Sequence, residues 1–207
     1  MLELAGDTPV SDVSATEVAR AAGVHRSTLY QHAAGPAELL DDALLEGLDA
    51  LRAGLLADPA RDTAVAVAEV TRGVLELVRA HAAVFRRGLA DDAGTASLHG
   101  LLSRHFLGTS RLLLDQGRLV VPVRAPGVPD DVTTEAALRS VAQGTVGVIA
   151  TWLRGPDPLE VADFVALHAA LLPAWWVRPG RGGAGGQSVA SSGSAASSPE
   201  MPRRPIS

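Results

Sequence analysis

Residues 10–32 read VSDVSATEVARAAGVHRSTLYQH. Ser14-Ala15-Thr16-Glu17 has the form of a capping box, in which a serine hydroxyl accepts from the amide three residues on and the glutamate reaches back. The helix it opens carries Ala15, Val18, Ala19 and Ala22 on one face, the spacing of a helix buried along one stripe. Gly23 stops it, since glycine tolerates the left-handed backbone that ends many helices. Val24 is then expected to plug the core between this helix and a second one, from about Arg26 to Ala33. The stretch therefore predicts helix, tight turn, helix. Ala19 permits a close crossing and Leu29 points inward. Arg26, Ser27, Thr28, Tyr30, Gln31 and His32 supply a polar face.

Working outward, the same reasoning predicts helices throughout. Gly35-Pro36 opens one with proline at its first position. Its stripe is Leu39, Leu40, Ala43, Leu44, Gly47, Leu48, Leu51 and Leu55, ending near Leu56. Asp58-Pro59 is a break. Asp62 or Thr63 caps a helix to about Gly88, with Val67, Val70, Val74, Leu77, Val78, His81 and Phe85 in its stripe. Another runs from about Thr95 to Gln116 and is closed by Gly117. The proline-rich residues 118–130 are a loop. Two apolar helices follow, about 131–154 and 158–177, the second opened by the capping box Asp157-Pro158-Leu159-Glu160. From Arg178 onward the chain is Gly, Ser, Ala, Pro and Arg, a composition expected to stay disordered. The fold expected is all-α, with a small head over 1–56, a larger helical domain over 57–177 and a disordered tail over 178–207.

Composition narrows the function. Apolar residues are 47% of 207, enough for a sizeable core. Cysteine is absent, which excludes disulfides, thiolate metal sites and cysteine nucleophiles. No basic segment followed by an apolar one marks a secretory signal at the N-terminus. The longest uncharged run of the body, Ser140 to Leu153, is too short to span a bilayer. A cytoplasmic protein without membrane contact is expected. All 18 basic residues are arginine. Six scattered histidines (His25, His32, His81, His99, His105, His168) contain no i, i+4 pair of the kind that binds zinc on a helix. There is no glycine-rich phosphate loop and no G-x-S-x-G elbow. Asp91-Asp92 and Asp130-Asp131 sit at helix boundaries, where acids favour the dipole. No enzymatic activity, metal or cofactor is expected.

A short polar helix behind a glycine turn suits the DNA major groove. Hydroxyls and the phenol of Tyr30 can reach phosphates, while Arg26 and Gln31 are the better candidates for base edges. The run EVARAAGVHRSTLYQHAAGPAELL resembles the N-terminal domain of the TetR family of bacterial transcriptional regulators. The matching elements are Val18-Ala19, Ala22-Gly23-Val24, Thr28-Leu29-Tyr30, His32 and Leu39-Leu40. The stretch AALRSVAQGTVGVIATWLRGPDP, continuing to Pro173-Ala174-Trp175, resembles that family's C-terminal regulatory domain. The resemblance implies a ligand-responsive homodimeric repressor on a palindromic double-stranded operator, released by a small-molecule effector. It also places Ser14 and Thr16 at phosphate-contacting positions, and Thr28, Tyr30 and His32 at phosphate- or base-contacting ones.

Three departures stand out. The opening helix is truncated to Met1-Leu2-Glu3-Leu4 before Ala5-Gly6, which is expected to expose apolar faces of the two motif helices. Ala33 stands where an aromatic is usual, and Pro36 where a phosphate-binding lysine is usual. Residues 1–42 carry seven acids against Arg20 and Arg26, a formal −5, whereas DNA-binding surfaces are generally positive. A native start upstream of Met1, bringing further basic residues, is expected to repair both features. The alternative function is a helical ligand-binding or interaction dimer with a degenerate head.

For the body, the near-continuous apolarity of 144–153 predicts burial on every side. The last two helices are expected to pair with their copies in a two-fold four-helix interface. A ligand pocket is expected among helices 63–88, 95–117 and 131–153, with His81, His105 and Gln143 as polar contacts. Phe85, Phe106 and Trp152 are its expected walls.

Overall fold

Local capping chemistry sets several of the helix starts in the computed structural model, which describes residues 1–90, 97–155 and 160–176. The described residues contain no strand. Their helices are α1 (Leu2–Asp7), α2 (Ala15–Ala21), α3 (Arg26–His32), α4 (Pro36–Leu56), α5 (Thr63–Ala80), α6 (Ala82–Gly88), α7 (Leu98–Asp115), α8 (Asp130–Leu153) and α9 (Val161–Leu171), with a 3-10 turn at Val10–Asp12. Both halves of the Ser14/Glu17 capping box are made. Asp62 Oδ1 accepts from the Val65 amide at 3.0 Å to open α5, and Pro36 occupies the first turn of α4. Gly23 and Gly117 follow α2 and α7 with φ of 66° and 68°, the left-handed region where a side chain is strained.

Three expectations are corrected. The single helix expected over 63–88 breaks at His81, where φ −119° and ψ 34° leave the helical region. Neither glycine nor proline marks the site. The turn lets α6 bury Val84 and Phe85 beside α1 and α8, so tertiary packing overrides a continuous local pattern. Helix α7 starts at Leu98, with Ser97 Oγ accepting from the His99 amide. Helix α9 ends at Leu171 rather than Val177: Leu172 is extended, as the residue before a proline prefers, and the Trp176 amide closes a turn onto Pro173 O at 2.8 Å. The expected tail and the Asp157–Leu159 part of the predicted capping box lie outside the described residues.

The largest buried cluster runs without a break from Ala5 of α1 and Leu40, Leu44 and Leu48 of α4 to Phe85, Leu102, Trp152 and Phe164. A second joins Leu55 to Leu107, Leu113, Leu119, Val121 and Leu138. The third, smaller, holds Val13, Ala15, Val18 and Leu29 together under Met1, Leu4 and Leu39. Two arginines clasp helix ends. Arg87 Nη2 donates to the carbonyls of Ala5 and Gly6 at the end of α1. Buried Arg118 donates from Nη1 to the Leu55 carbonyl at 2.9 Å, at the negative end of the α4 dipole. Among the described residues no helix is long and apolar enough to cross a membrane.

Leu48 lies wholly inside the main cluster, so Leu48→Ala leaves a cavity there. It is expected to lower unfolding stability by about 3 kcal/mol. Urea titration measures this, and an unchanged midpoint would contradict the packing described.

Candidate DNA-reading face and interior pocket

The head is assembled from its turn. The Val24 amide returns to Ala19 O at 3.0 Å and the Gly23 amide to Arg20 O at 3.2 Å, satisfying carbonyls that the end of α2 would otherwise leave open. Val24 does not plug the core as expected. It is 44% exposed, because the turn directs it to the rim of a groove of about 460 Å³ whose wall also includes Val18, Ala22, Leu29, Leu39 and Met1. Short α1 does not cover this surface, and Asp42 and Glu46 border it. His25 caps α3: its Nδ1 accepts from the Ser27 amide at 3.3 Å and lies 2.8 Å from Ser27 Oγ. Sequence reasoning assigned His25 no role, since histidine is not a usual N-cap.

Leu29 is the buried anchor of α3. Arg26, Ser27, Tyr30, Gln31 and His32 are exposed, and Thr28 is half-buried. Tyr30 is the largest of the exposed apolar-bodied side chains on this helix, at 49%. Arg26 Nη2 donates to the Tyr30 hydroxyl at 3.0 Å, with its guanidinium 5.4 Å from the ring centroid, a cation–π arrangement one helical turn apart. Both therefore stand in one ordered pair on the outer face. Ser14 and Thr16 are exposed at the start of α2. The Ser14 hydroxyl is engaged in its cap, donating to Glu17 Oε2 at 2.7 Å. The bond from the Ser14 amide, then that from its hydroxyl, holds the Glu17 carboxyl below its ordinary pKa.

In the body, the six residues expected around a ligand are dispersed. His81 is half-buried at the α5–α6 break, and Phe85 lies wholly within the core. His105 is buried with Nδ1 3.3 Å from Asp49 Oδ1 and its ring edge-on to Phe106. Gln143 faces out, its Oε1 accepting from Ser103 Oγ at 3.0 Å and lying 3.0 Å from His99 Nε2. Trp152 is buried and stacks on Phe164 with centroids 4.9 Å apart. Of the six, Phe106 borders the interior pocket.

That pocket is a partly open cavity of about 90 Å³ lined mainly by α5, α7, α8 and α9. The first three correspond to the helices expected to build it. Helix α9 adds Phe164 and His168. Apolar walls come from Val67, Val70, Val74, Phe106, Ile149 and Trp176, while Thr71, Thr109, Ser110, Thr145 and His168 are its polar lining. None of the lining side chains is an acid or an arginine. Each hydroxyl donates to the carbonyl four residues earlier: Thr71 to Val67, Thr109 to His105, Ser110 to Phe106 and Thr145 to Val141, at 2.8 to 3.0 Å. His168 Nε2 lies 3.2 Å from Thr145 Oγ1. Sequence reasoning passed over these residues because a Ser or Thr within a helix can satisfy itself this way anywhere. Val141, Thr145, His168 and Leu172 also line an outer groove of about 550 Å³ between α8 and α9.

Comparison with models of protein families, with curated proteins and with solved structures returned no match for this chain.

Two buried histidines make stability depend on acidity. Burial depresses the His105 pKa below 6.5, Arg52 adds to the effect, and Asp49 opposes it. Burial alone depresses His168 below the same value. Unfolding restores the ordinary value, so below it the unfolded chain binds more protons. Above about pH 6.5 neither ring affects stability; as pH falls from there towards the depressed folded values, stability is lost. Urea unfolding between about pH 7.5 and pH 5.5 should show this decline, with a flatter profile in His105→Leu/His168→Phe. Equal slopes in the two chains would contradict it.

Proposed function

We propose that this chain is a transcriptional regulator that reads double-stranded DNA with the α2–α3 pair and answers to a small molecule held in the interior pocket. The observation that carries this is the outer face of α3. Arg26, Ser27, Tyr30, Gln31 and His32 are exposed on a helix whose opposite side is anchored by Leu29. Such a helix matches the width of the major groove. In this reading Arg26 and Gln31 address base edges. Ser27, Thr28, Tyr30 and His32, with Ser14 and Thr16, address phosphates and fix the register. The resemblance of residues 18–40 to the TetR family supports it, and makes repression of a palindromic operator in the cytoplasm the expected action.

A homodimer belongs to this proposal. Ala136, Ser140, Gly144, Gly147 and Thr151 form an exposed stripe on α8, and Leu167 and Leu171 are exposed on α9. Small residues allow helices to approach closely, and the leucines supply apolar area that a second copy would cover. Paired across a two-fold axis, two chains would present two copies of α3 to successive half-sites. An effector in the pocket would act by altering their spacing. The decisive experiment is a gel shift of the protein on DNA from upstream of its own gene. Sequence-specific binding that weakens as salt rises supports the proposal; binding without sequence preference, seen at low salt alone, overturns it.

One set of observations favours a second reading, a ligand-binding or interaction dimer with a degenerate head. Residues 1–42 carry a formal −5, and the Glu17 carboxylate already engages the Ser14 amide at 2.8 Å where a phosphate would approach α2. The same gel shift separates the two.

Under the first reading, Arg26→Ala and Tyr30→Phe each weaken operator binding by roughly tenfold, about 1.4 kcal/mol. Dimer mass by sedimentation stays the same. Unaltered affinity in both variants would remove these contact assignments.

A further inference from the structure

The polar groups around the interior pocket have a common polarity. The hydroxyl protons of Thr71, Thr109, Ser110 and Thr145 are committed to carbonyls of their own helices. A hydroxyl carries one proton and two lone pairs, so each offers the cavity only its lone pairs. Thr145 bears on the tautomer of the neighbouring imidazole. With its proton directed to the Val141 carbonyl at 2.9 Å, the contact of 3.2 Å with His168 Nε2 is read with Nε2 as the donor. In a neutral ring that leaves Nδ1 as an acceptor, and Nδ1 has no hydrogen-bond partner among the described residues. His168 is 8% exposed, and its burial favours the neutral form.

We infer that the pocket selects a small, uncharged, largely apolar molecule bearing a hydrogen-bond donor, such as a phenol or an alcohol, and that His168 Nδ1 receives the donated proton. The inference rests on the reading of this cavity as an effector site and specifies the chemistry of the effector. A carboxylate would meet acceptors on every polar side, with no arginine in the lining to neutralise it. An acceptor without a donor would find no unspent proton among the hydroxyls. A hydrocarbon would be housed by the valines and Phe106 but would leave the acceptors of the lining unused.

The route of entry follows from the same wall. The cavity, at about 90 Å³, is smaller than the roughly 150 Å³ of an engineered apolar cavity that takes benzene. A six-membered ring therefore has to widen it. The Thr145–His168 pair separates it from the outer groove of about 550 Å³. Displacement of that wall supplies the room and carries ligand binding to the exposed side of α8 and α9.

The test is an NMR titration of the full chain, without DNA, using phenol, toluene and benzoate. Phenol and toluene have the same number of heavy atoms, and toluene is the more hydrophobic. Phenol is expected to bind roughly tenfold more tightly than toluene, and benzoate to give no saturable shift. In His168→Phe the preference should vanish or invert. Thr145→Val, which removes the partner that holds Nε2 as donor, should reduce it. The inference is overturned if toluene binds the native chain as tightly as phenol, if benzoate binds best, or if none of the three saturates. It is equally overturned if a folded His168→Phe keeps the preference for phenol. The titration reads the pocket and the gel shift reads the head, so failure of either leaves the other result standing.

Discussion

Burial of one face of α4 is the constraint on which the rest of the molecule hangs. Leu40, Leu44 and Leu48 sink into the main core, and Leu55 into the second cluster. Their neighbour Leu39 packs instead against Val18 and Leu29 of the head. Consecutive residues of one helix therefore serve two cores, and the rotational setting of α4 ties the position of α3 to that of α5 and α7. At 21 residues, α4 spans about 30 Å. Its far end contributes Leu55 to the wall of the interior pocket. One helix thus touches both the interior pocket, through Leu55, and the head cluster, through Leu39.

The head is tied down at a second point. Arg87 of α6 holds the last carbonyls of α1, and Ala5 is buried beside α4. This explains why a first helix of only six residues remains docked: its own backbone contributes little cooperative stability at that length, and a side chain from α6 holds its end. The surface that α1 does not reach is the groove bordered by Val24, Asp42 and Glu46.

Inside the body, several polar groups bond to helix carbonyls, although Arg118 Nη2 is buried without a partner among the described residues. Arg118 spends its charge on the carbonyl end of α4, where the helix dipole provides a partial counter-charge. The hydroxyls near the cavity return their protons to their own helices. Such bonds remove the penalty of burying a hydroxyl and turn an otherwise neutral lining into an acceptor surface. His168 differs from His105 in this respect: His105 has Asp49 beside it, whereas the side-chain neighbour of His168 is the Thr145 hydroxyl, at 3.2 Å.

Local chemistry made much of this legible before any coordinates. Ser14 and Glu17, Asp62, Pro36, Gly23 and Gly117 each act within one turn of chain, so their roles follow from residue type and spacing. The all-helical class and the inward Leu29 follow from periodicity for the same reason. The break at His81 was not legible, because it satisfies Phe85 and α1 rather than any local preference. Val24 lies at the rim of a groove and not in a core, because α1 does not extend over it. The composition of the pocket was equally out of reach: His168, Thr145 and Thr71 are ordinary helical residues until α5, α8 and α9 converge. Short-range hydrogen bonding is written in the order of residues, whereas the meeting of distant helices is set by how all their apolar faces are buried at once.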